Sequence, residues 1–284
     1  MLQRLPTLAL VQGTICLALS LGQFVRAAET SLSPWPADKS PGLAALAKAA
    51  EQNRYAYVFF WKTGGEATQR KREAFDAALA TLSDRADAVS VCVSAPEEKA
   101  TVDAFKVSRA PMPLVLAIAP NGAVTKAWPL DFQAATAGDG IVSDGAASCM
   151  KALQGNKMVL VSVQNSTTSH AGEALEAAAG FLADPRFAQA AENVVLDPAD
   201  PAEATFLASL KVSPTTDKAI TVLLAPPGNP VATFVGAVST AAIVAKVTDA
   251  KSGCCPDGKC GPGQCCPGGK CGPSQSSSAK GVSK

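Results

Sequence analysis

Apolar and polar positions follow two periods along residues 43–250, and the periods alternate in a fixed order. LAALAKAAEQ predicts a short helix, and the unbroken apolar run YAYVFFW (55–61) predicts a strand buried on both faces. EATQRKREAFDAALATL (66–82) has helical spacing, with Ala67, Ala74, Phe75, Ala78 and Leu82 as the apolar stripe and Arg70, Lys71 and Arg72 on the solvated part. DAVSVCVS (87–94) then predicts a strand, EEKATVDAFKV (97–107) a helix, and LVLAIA (114–119) a strand. After a turn at Pro120-Asn121-Gly122 come a strand over AVTKAW (123–128) and a helix over 142–153, built on Val142, Ala146, Cys149, Met150 and Leu153.

The same order returns. MVLVSV (158–163), NVVLD (193–197), ITVLLA (220–225) and VATFVG (231–236) predict strands. GEALEAAAGFLA (172–183), PAEATFLASL (201–210) and TAAIVAKVTDA (240–250) predict helices between and after them, with a turn at Pro226-Pro227-Gly228-Asn229. Two copies of a βαβαββα order, parallel strands first and a hairpin last, predict an α/β fold of two tandem three-layer α/β/α domains, 43–155 and 156–250.

The flanks differ from this core. Arg4, the apolar stretch TLALVQGTICLALSLGQFV and Val25-Arg26-Ala27-Ala28 have the layout of a secretory signal peptide, residues 1–27, cut after Ala27. An uncleaved membrane anchor is the alternative, because the stretch nearly reaches the ~20 residues needed to span. Cys16 lacks the preceding small residue of a lipoprotein signal. Residues 28–42, with Pro34, Pro36 and Pro41, read as an extended linker, and no later segment is apolar enough to cross a membrane. Export, periplasmic or extracellular, would place the other eight cysteines where disulfides persist.

Charge excludes one class of partner. Lys+Arg 25 against Asp+Glu 24 gives +1, and loss of Arg4 and Arg26 with the leader would leave about −1, so no nucleic-acid footprint exists. The hydrophobic fraction of 48% indicates a globular chain.

Three pieces of the first copy resemble the thioredoxin-like superfamily. Val58-Phe59-Phe60-Trp61 runs through Lys62-Thr63-Gly64-Gly65-Glu66-Ala67-Thr68 into a basic helix, and Phe105-Lys106-Val107-Ser108-Arg109-Ala110-Pro111-Met112-Pro113-Leu114 resembles the family's approach to a cis-proline, here Pro113. The hairpin at Asn121-Gly122 follows. The resemblance implies a C-x-x-C pair at the helix start, where the helix dipole lowers a thiol pKa. Counted from Phe60-Trp61, those positions hold Gly65 and Thr68, and no Cys occurs between 17 and 91. The resemblance therefore implies a redox-inactive copy whose surface at Trp61, Gly65, Thr68, Met112 and Pro113 docks a protein or peptide. The second copy has Gln164-Asn165-Ser166-Thr167-Thr168-Ser169-His170 after its first strand, without cysteine, and its cis-proline position falls on Ala219.

His170, the one histidine, lies in a Ser/Thr run and would serve Ser169 or Thr168 as a base only with an orienting acid, which the sequence does not place. It reads as a surface residue. Asn165-Ser166-Thr167 is a formal N-glycosylation acceptor. Asp139, Asp144, Asp197 and Asp200 lack calcium-loop spacing and read as turn and cap residues. Cys92 and Cys149 allow one disulfide but read as two small buried hydrophobes. Phosphate-loop and zinc-protease motifs are missing from the sequence.

Residues 251–284 read as a disordered tail. CCPDGKCGPGQ and CCPGGKCGPSQ repeat one unit with changes only at Asp257/Gly268 and Gly263/Ser274, presenting Cys254, Cys255, Cys260, Cys265, Cys266 and Cys271. Three readings stay open: a disulfide knot of undetermined pairing, capture of a soft ion such as Cu(I) or Zn(II), and cross-linking or partner binding. The functional expectation is an exported, non-catalytic binding or scaffold protein. The alternatives are a soft-metal carrier and a divergent thiol–disulfide oxidoreductase that uses the tail cysteines.

Overall fold

The computed structural model describes residues 33–252. Helix α1 (Pro41–Glu51) starts two residues inside the stretch read as linker, because Ser40 is an extended N-cap whose Oγ accepts the Leu43 N–H and Pro41 occupies the first turn. Proline is well placed there, since its missing N–H would lack a helical partner in any case. β1 (Tyr55–Trp61), α2 (Glu66–Ala80), β2 (Ala86–Cys92), α3 (Lys99–Phe105), β3 (Leu114–Ile118), β4 (Val124–Pro129) and α4 (Asp144–Gln154) follow. The second set is β5 (Met158–Val163), α5 (Ala171–Ala183), β6 (Ala191–Leu196), α6 (Ala204–Ser209), β7 (Ile220–Ala225), β8 (Asn229–Val235) and α7 (Thr240–Ser252). The 3-10 turns Pro96–Glu98 and Pro201–Glu203 lead into α3 and α6.

Two four-stranded sheets result, ordered β2-β1-β3-β4 and β6-β5-β7-β8. In each, the first pair is parallel and the other two are antiparallel. Alternation along β1 divides its side chains between two cores. Val58 and Phe60 join Leu46, Val102 and Ile118 on one face, while Tyr57 and Phe59 join Phe75, Leu79 and Trp128 on the other. This explains why YAYVFFW shows no polar position.

The stripe read on α2 is partly corrected. Ala67 and Ala74 are exposed, Lys71 and Arg72 are half-buried, and burial begins only at Phe75, continuing to Ala78 and Leu79. A 3-10 segment, Ala134–Gly140, has no periodic signal and is fixed by tertiary bonds instead: Tyr57 Oη donates to Ala137 O (2.6 Å) and Trp128 Nε1 to Thr136 Oγ1 (2.9 Å).

Helix α4, read as closing the first domain, also opens the second. Ala147 and Met150 pack with the Tyr57 side of the first sheet, whereas Cys149 and Ala152 belong to the core of β5 and β7. Its start repeats that of α1. Glu98 accepts the Gly42 N–H (3.0 Å) and the Thr101 hydroxyl (2.8 Å), and Glu203 accepts the Gly145 N–H (3.0 Å) and the Ser143 hydroxyl (2.6 Å). Both carboxylates are buried, at 7% and 6% exposure. The duplication extends to detail: Arg54 pairs with Asp87 as Lys157 pairs with Glu192, and Asn53 and Asn156 both take positive φ before the central strand.

Removing a buried acceptor leaves the helix N–H unpaired, which costs ~1–3 kcal/mol. Glu203→Ala is therefore expected to lower unfolding free energy by about 2 kcal/mol, and Glu203→Gln by less. Urea denaturation followed by circular dichroism measures both.

Candidate functional site

The C-terminal end of β1 and the start of α2 form a recess. Trp61 ends the strand, and its Nε1 donates to Ser90 Oγ (3.1 Å) on β2. Gly65 then caps α2 with φ 136°, a conformation that side chains resist. Thr68 Oγ1 reaches back to Thr63 O (3.0 Å) and ties the loop to the first helical turn. Phe59, Trp61, Gly65, Thr68, Gln69 and Arg72 line a pocket of about 390 Å³. Its floor is aromatic and its rim is polar.

Met112 and Pro113 approach from β3. Their peptide bond is cis, as the sequence reading placed it, and Pro113 O accepts the Leu130 N–H (2.8 Å). Phe60 pairs with Leu114, so the next step of that register brings Trp61 toward Pro113. The five predicted surface residues thus divide: Trp61, Gly65 and Thr68 share the pocket, while Met112 and Pro113 do not line it. Met112 is half-buried against the α1/α3-side core.

The second sheet repeats this topology with a different mouth. Ala219 O accepts the Gly236 N–H (2.7 Å), which is the bond that Pro113 O makes to Leu130, so Ala219 occupies the proline's place. Both halves have the thioredoxin-like fold. The chain is similar to human ERp44, with 9% identity and TM-score 0.32 over 73% of this chain and 55% of that one. It is also similar to the first two thioredoxin domains of Saccharomyces cerevisiae Eps1p, with 11% identity and TM-score 0.26 over 71% and 93%. A third likeness is the bb fragment of ERp72, with 11% identity and TM-score 0.28 over 74% and 94%. The chain spans about half the length of human ERp44. No family model matches the sequence, and no curated protein does.

In the second thioredoxin-like half, the loop after β5 closes on the segment that leads into β7. Ser169 N donates to Asp217 O (2.8 Å) and Ser169 O accepts the Ala219 N–H (2.9 Å), a parallel bridge beside Lys218. Within this loop Gln164 and Thr168 are buried. His170 caps α5 with φ 62°, and its Nδ1 lies 2.5 Å from Glu173 Oε2. This corrects the expectation that no acid orients the histidine. The pair is nonetheless exposed, and Ser169 Oγ donates to Asp217 O (2.9 Å), away from a base-assisted role.

Three of the four aspartates serve as local ligands of the backbone or of a neighbouring side chain, and the fourth lies in the first turn of a helix. Asp197 accepts Ala199 N–H and Asn165 Nδ2 (2.8 Å each), which hold its carboxyl below the usual range; Asp200 accepts Ala202 N–H (2.9 Å). Asp139 pairs with Lys126 (2.6 Å), and Asp144 begins α4. Asn165 is also held internally, since its Oδ1 accepts from Thr167 N and Oγ1. Among the described residues no cluster of three or more His, Cys, Asp or Glu is placed to hold a metal ion, and no helix is long and apolar enough to cross a membrane. The six tail cysteines lie outside the described residues.

Sequence reasoning missed one neighbour of the pocket. Cys92 ends β2 directly across from Trp61, half-exposed, with Sγ 3.2 Å from Ser94 Oγ, and Ser94 in turn donates to Lys62 O (3.2 Å). Its position in an apolar strand gave no sign that the strand would stop there. Cys149 is the opposite case: burial pushes its thiol up to about 12, with the Glu203 charge adding to the effect. Both are free thiols. Because the folded protein holds the Cys149 proton above its usual 9.0, this group's contribution to stability is intact below pH 9 and is lost as pH climbs toward 12. At pH 8, iodoacetamide is expected to alkylate Cys92 in the native protein and Cys149 only after denaturation, read by peptide mass mapping.

Proposed function

We propose that this chain is a non-catalytic binding protein acting outside the cytoplasm, which docks an extended polypeptide at the Trp61 face of its first thioredoxin-like half. The observation that carries the reading is the recess at the start of α2, open and aromatic, with Gly65 and Thr68 where disulfide exchange needs sulfur. Exchange proceeds by thiolate attack, so a hydroxyl and a glycine remove the reaction but retain the shape. An extended segment binds such a strand-end surface through main-chain hydrogen bonds, with a side chain anchored in the neighbouring pocket. The half is also chosen by contrast: the corresponding edge of the second half is already bridged by Ser169. Export rests on the leader reading.

Buried aromatic anchors carry a large share of interface energy, about 2 kcal/mol or more when truncated. The Trp61→Ala/Met112→Ala double variant is expected to bind its partner about thirtyfold more weakly. Affinity capture from the native exported fraction tests this, and an unchanged set of partners removes the assignment.

A second reading concerns the tail alone. Six cysteines in two near-identical units on a Gly/Pro scaffold are suited to soft-ion capture. Anaerobically purified protein is expected to carry Cu or Zn that is lost on deletion of residues 253–284. Equal metal content after the deletion would overturn this reading.

A further inference from the structure

We propose that the second half carries an acceptor groove for an aromatic side chain presented on a proline-flanked segment of a partner polypeptide. The groove, about 560 Å³, lies between α4, α6 and the β7–β8 turn, and Leu153, Phe206, Leu210, Leu224 and Gly228 line it, with Cys149 among the walls. It is separate from the Trp61 pocket and does not depend on the docking proposed there.

The duplication identifies the occupant. In the first half the corresponding space lies between α1, α3 and the β3–β4 turn, and this chain fills it itself with Trp35. The indole sits 5.1 Å from the Phe105 ring, joins the core of Leu46, Val58 and Ile118, and has Lys151 Nζ 5.5 Å from its centroid. Prolines 34 and 36 flank it. Phe105 corresponds to Leu210, each the residue before a positive-φ lysine, Lys106 or Lys211. Gly122 corresponds to Gly228, each the positive-φ glycine of the hairpin turn. A Cβ on Gly122 would lie 3.0 Å from Pro34 and 3.2 Å from Trp35. Gly122 is buried beneath that segment, whereas Gly228 is exposed.

Nothing in residues 33–252 supplies the missing cover. The chain before α4 packs on the opposite side of the first sheet, where Tyr57 holds Ala137. The remaining segments are poor candidates by composition: residues 1–32 contain one aromatic, Phe24, in the apolar leader stretch, and residues 253–284 contain none. A second copy would have to withdraw Trp35 from its own core. The occupant that fits is a partner segment with the chemistry of Pro-Trp-Pro, its indole between Leu210 and the β7–β8 turn.

The probe is a fluorescein-labelled peptide of this chain's own residues 31–39, titrated against the full chain by fluorescence anisotropy. Saturable binding is expected, weakened about tenfold or more by replacing the peptide's tryptophan with alanine. Ser209→Trp, at an exposed position of the groove wall on α6, is expected to fill the groove and produce a similar loss while leaving the circular dichroism unchanged. Thr233→Trp, on the exposed β8 rim, serves if the first variant fails to fold. Trp61→Ala is expected to leave peptide affinity unchanged, which separates this groove from the docking face. Absence of saturable binding, or equal affinity in the groove variants, overturns the proposal. Binding that appears only after deletion of residues 253–284 would assign the groove to the tail, and a dimer in sedimentation without peptide would assign it to a second copy; either result also overturns it.

Discussion

Glu203 takes its hydrogen bonds from the beginning of α4, the Ser143 hydroxyl at 2.6 Å and the Gly145 N–H at 3.0 Å, and α4 is the helix on which both cores close. A carboxylate at 6% exposure is tolerable only when such donors replace its water. The helix start supplies them, together with the positive end of the helix dipole. The arrangement also dictates glycine at position 145: a Cβ there would lie 2.2 Å from Leu196 Cδ2 and 2.6 Å from Glu203 Oε1. Gly42 and Glu98 repeat the constraint in the first half, where a Cβ would meet Glu98 Oε2 at 2.7 Å. Each sheet therefore receives its leading helix at a fixed angle and depth, and the second sheet is built on a helix that the first already holds.

The sheet was legible because its physics is local. β1, β5 and β7 begin and end where the sequence reading bounded them, at 55–61, 158–163 and 220–225, and Ala219 proved to stand where spacing from Gly228 placed it. Residues whose role depends on distant partners were not. Glu98 and Glu203 look like ordinary polar helix-start residues, because acidic side chains are seldom buried unless paired. Their signal was present only as a repeat, Ser-x-Gly before each leading helix and Pro-x-Glu before α3 and α6. Trp35 was hidden differently. Two flanking prolines mark a non-helical segment, which the structure folds through bends and a turn closed by Lys39 N–H to Pro36 O (3.2 Å), but they do not reveal whether that segment lies in solvent or covers a core. The early exposed turns of α2 mislead in the opposite sense, since Ala67 and Ala74 have helical spacing but nothing apolar above them.

The two halves differ most at the C-terminal end of the central strand of each sheet. Phe59 and Trp61 in the first half face an open recess. Their counterparts Ser162 and Gln164 are buried, Ser162 donating to Asn193 Oδ1 at 2.8 Å, while Gln164 Oε1 and Thr221 Oγ1 find no protein partner. A polar interior of this kind is specified by hydrogen bonds rather than volume, and unpaired members carry a cost. Beside these residues the Ser169 bridge to Lys218 closes the same end of the second sheet.

The opposite faces of the sheets show the reverse asymmetry. There the first half is sealed by Trp35 against Phe105, and the second is left open between Leu210 and Gly228. Each half thus keeps one surface and closes the other, using a segment that lies just outside the repeated elements: residues 33–37 in one case, the loop 164–170 in the other. Neither closure needs a change in strand order or register, which the two sheets share. Covering one apolar or edge surface in each copy also limits the exposed area available for self-association, a recognised hazard of unpaired edges and large apolar patches. What distinguishes the halves is therefore the packing of two short connecting segments against a common frame, and each segment leaves uncovered the surface that the other closes.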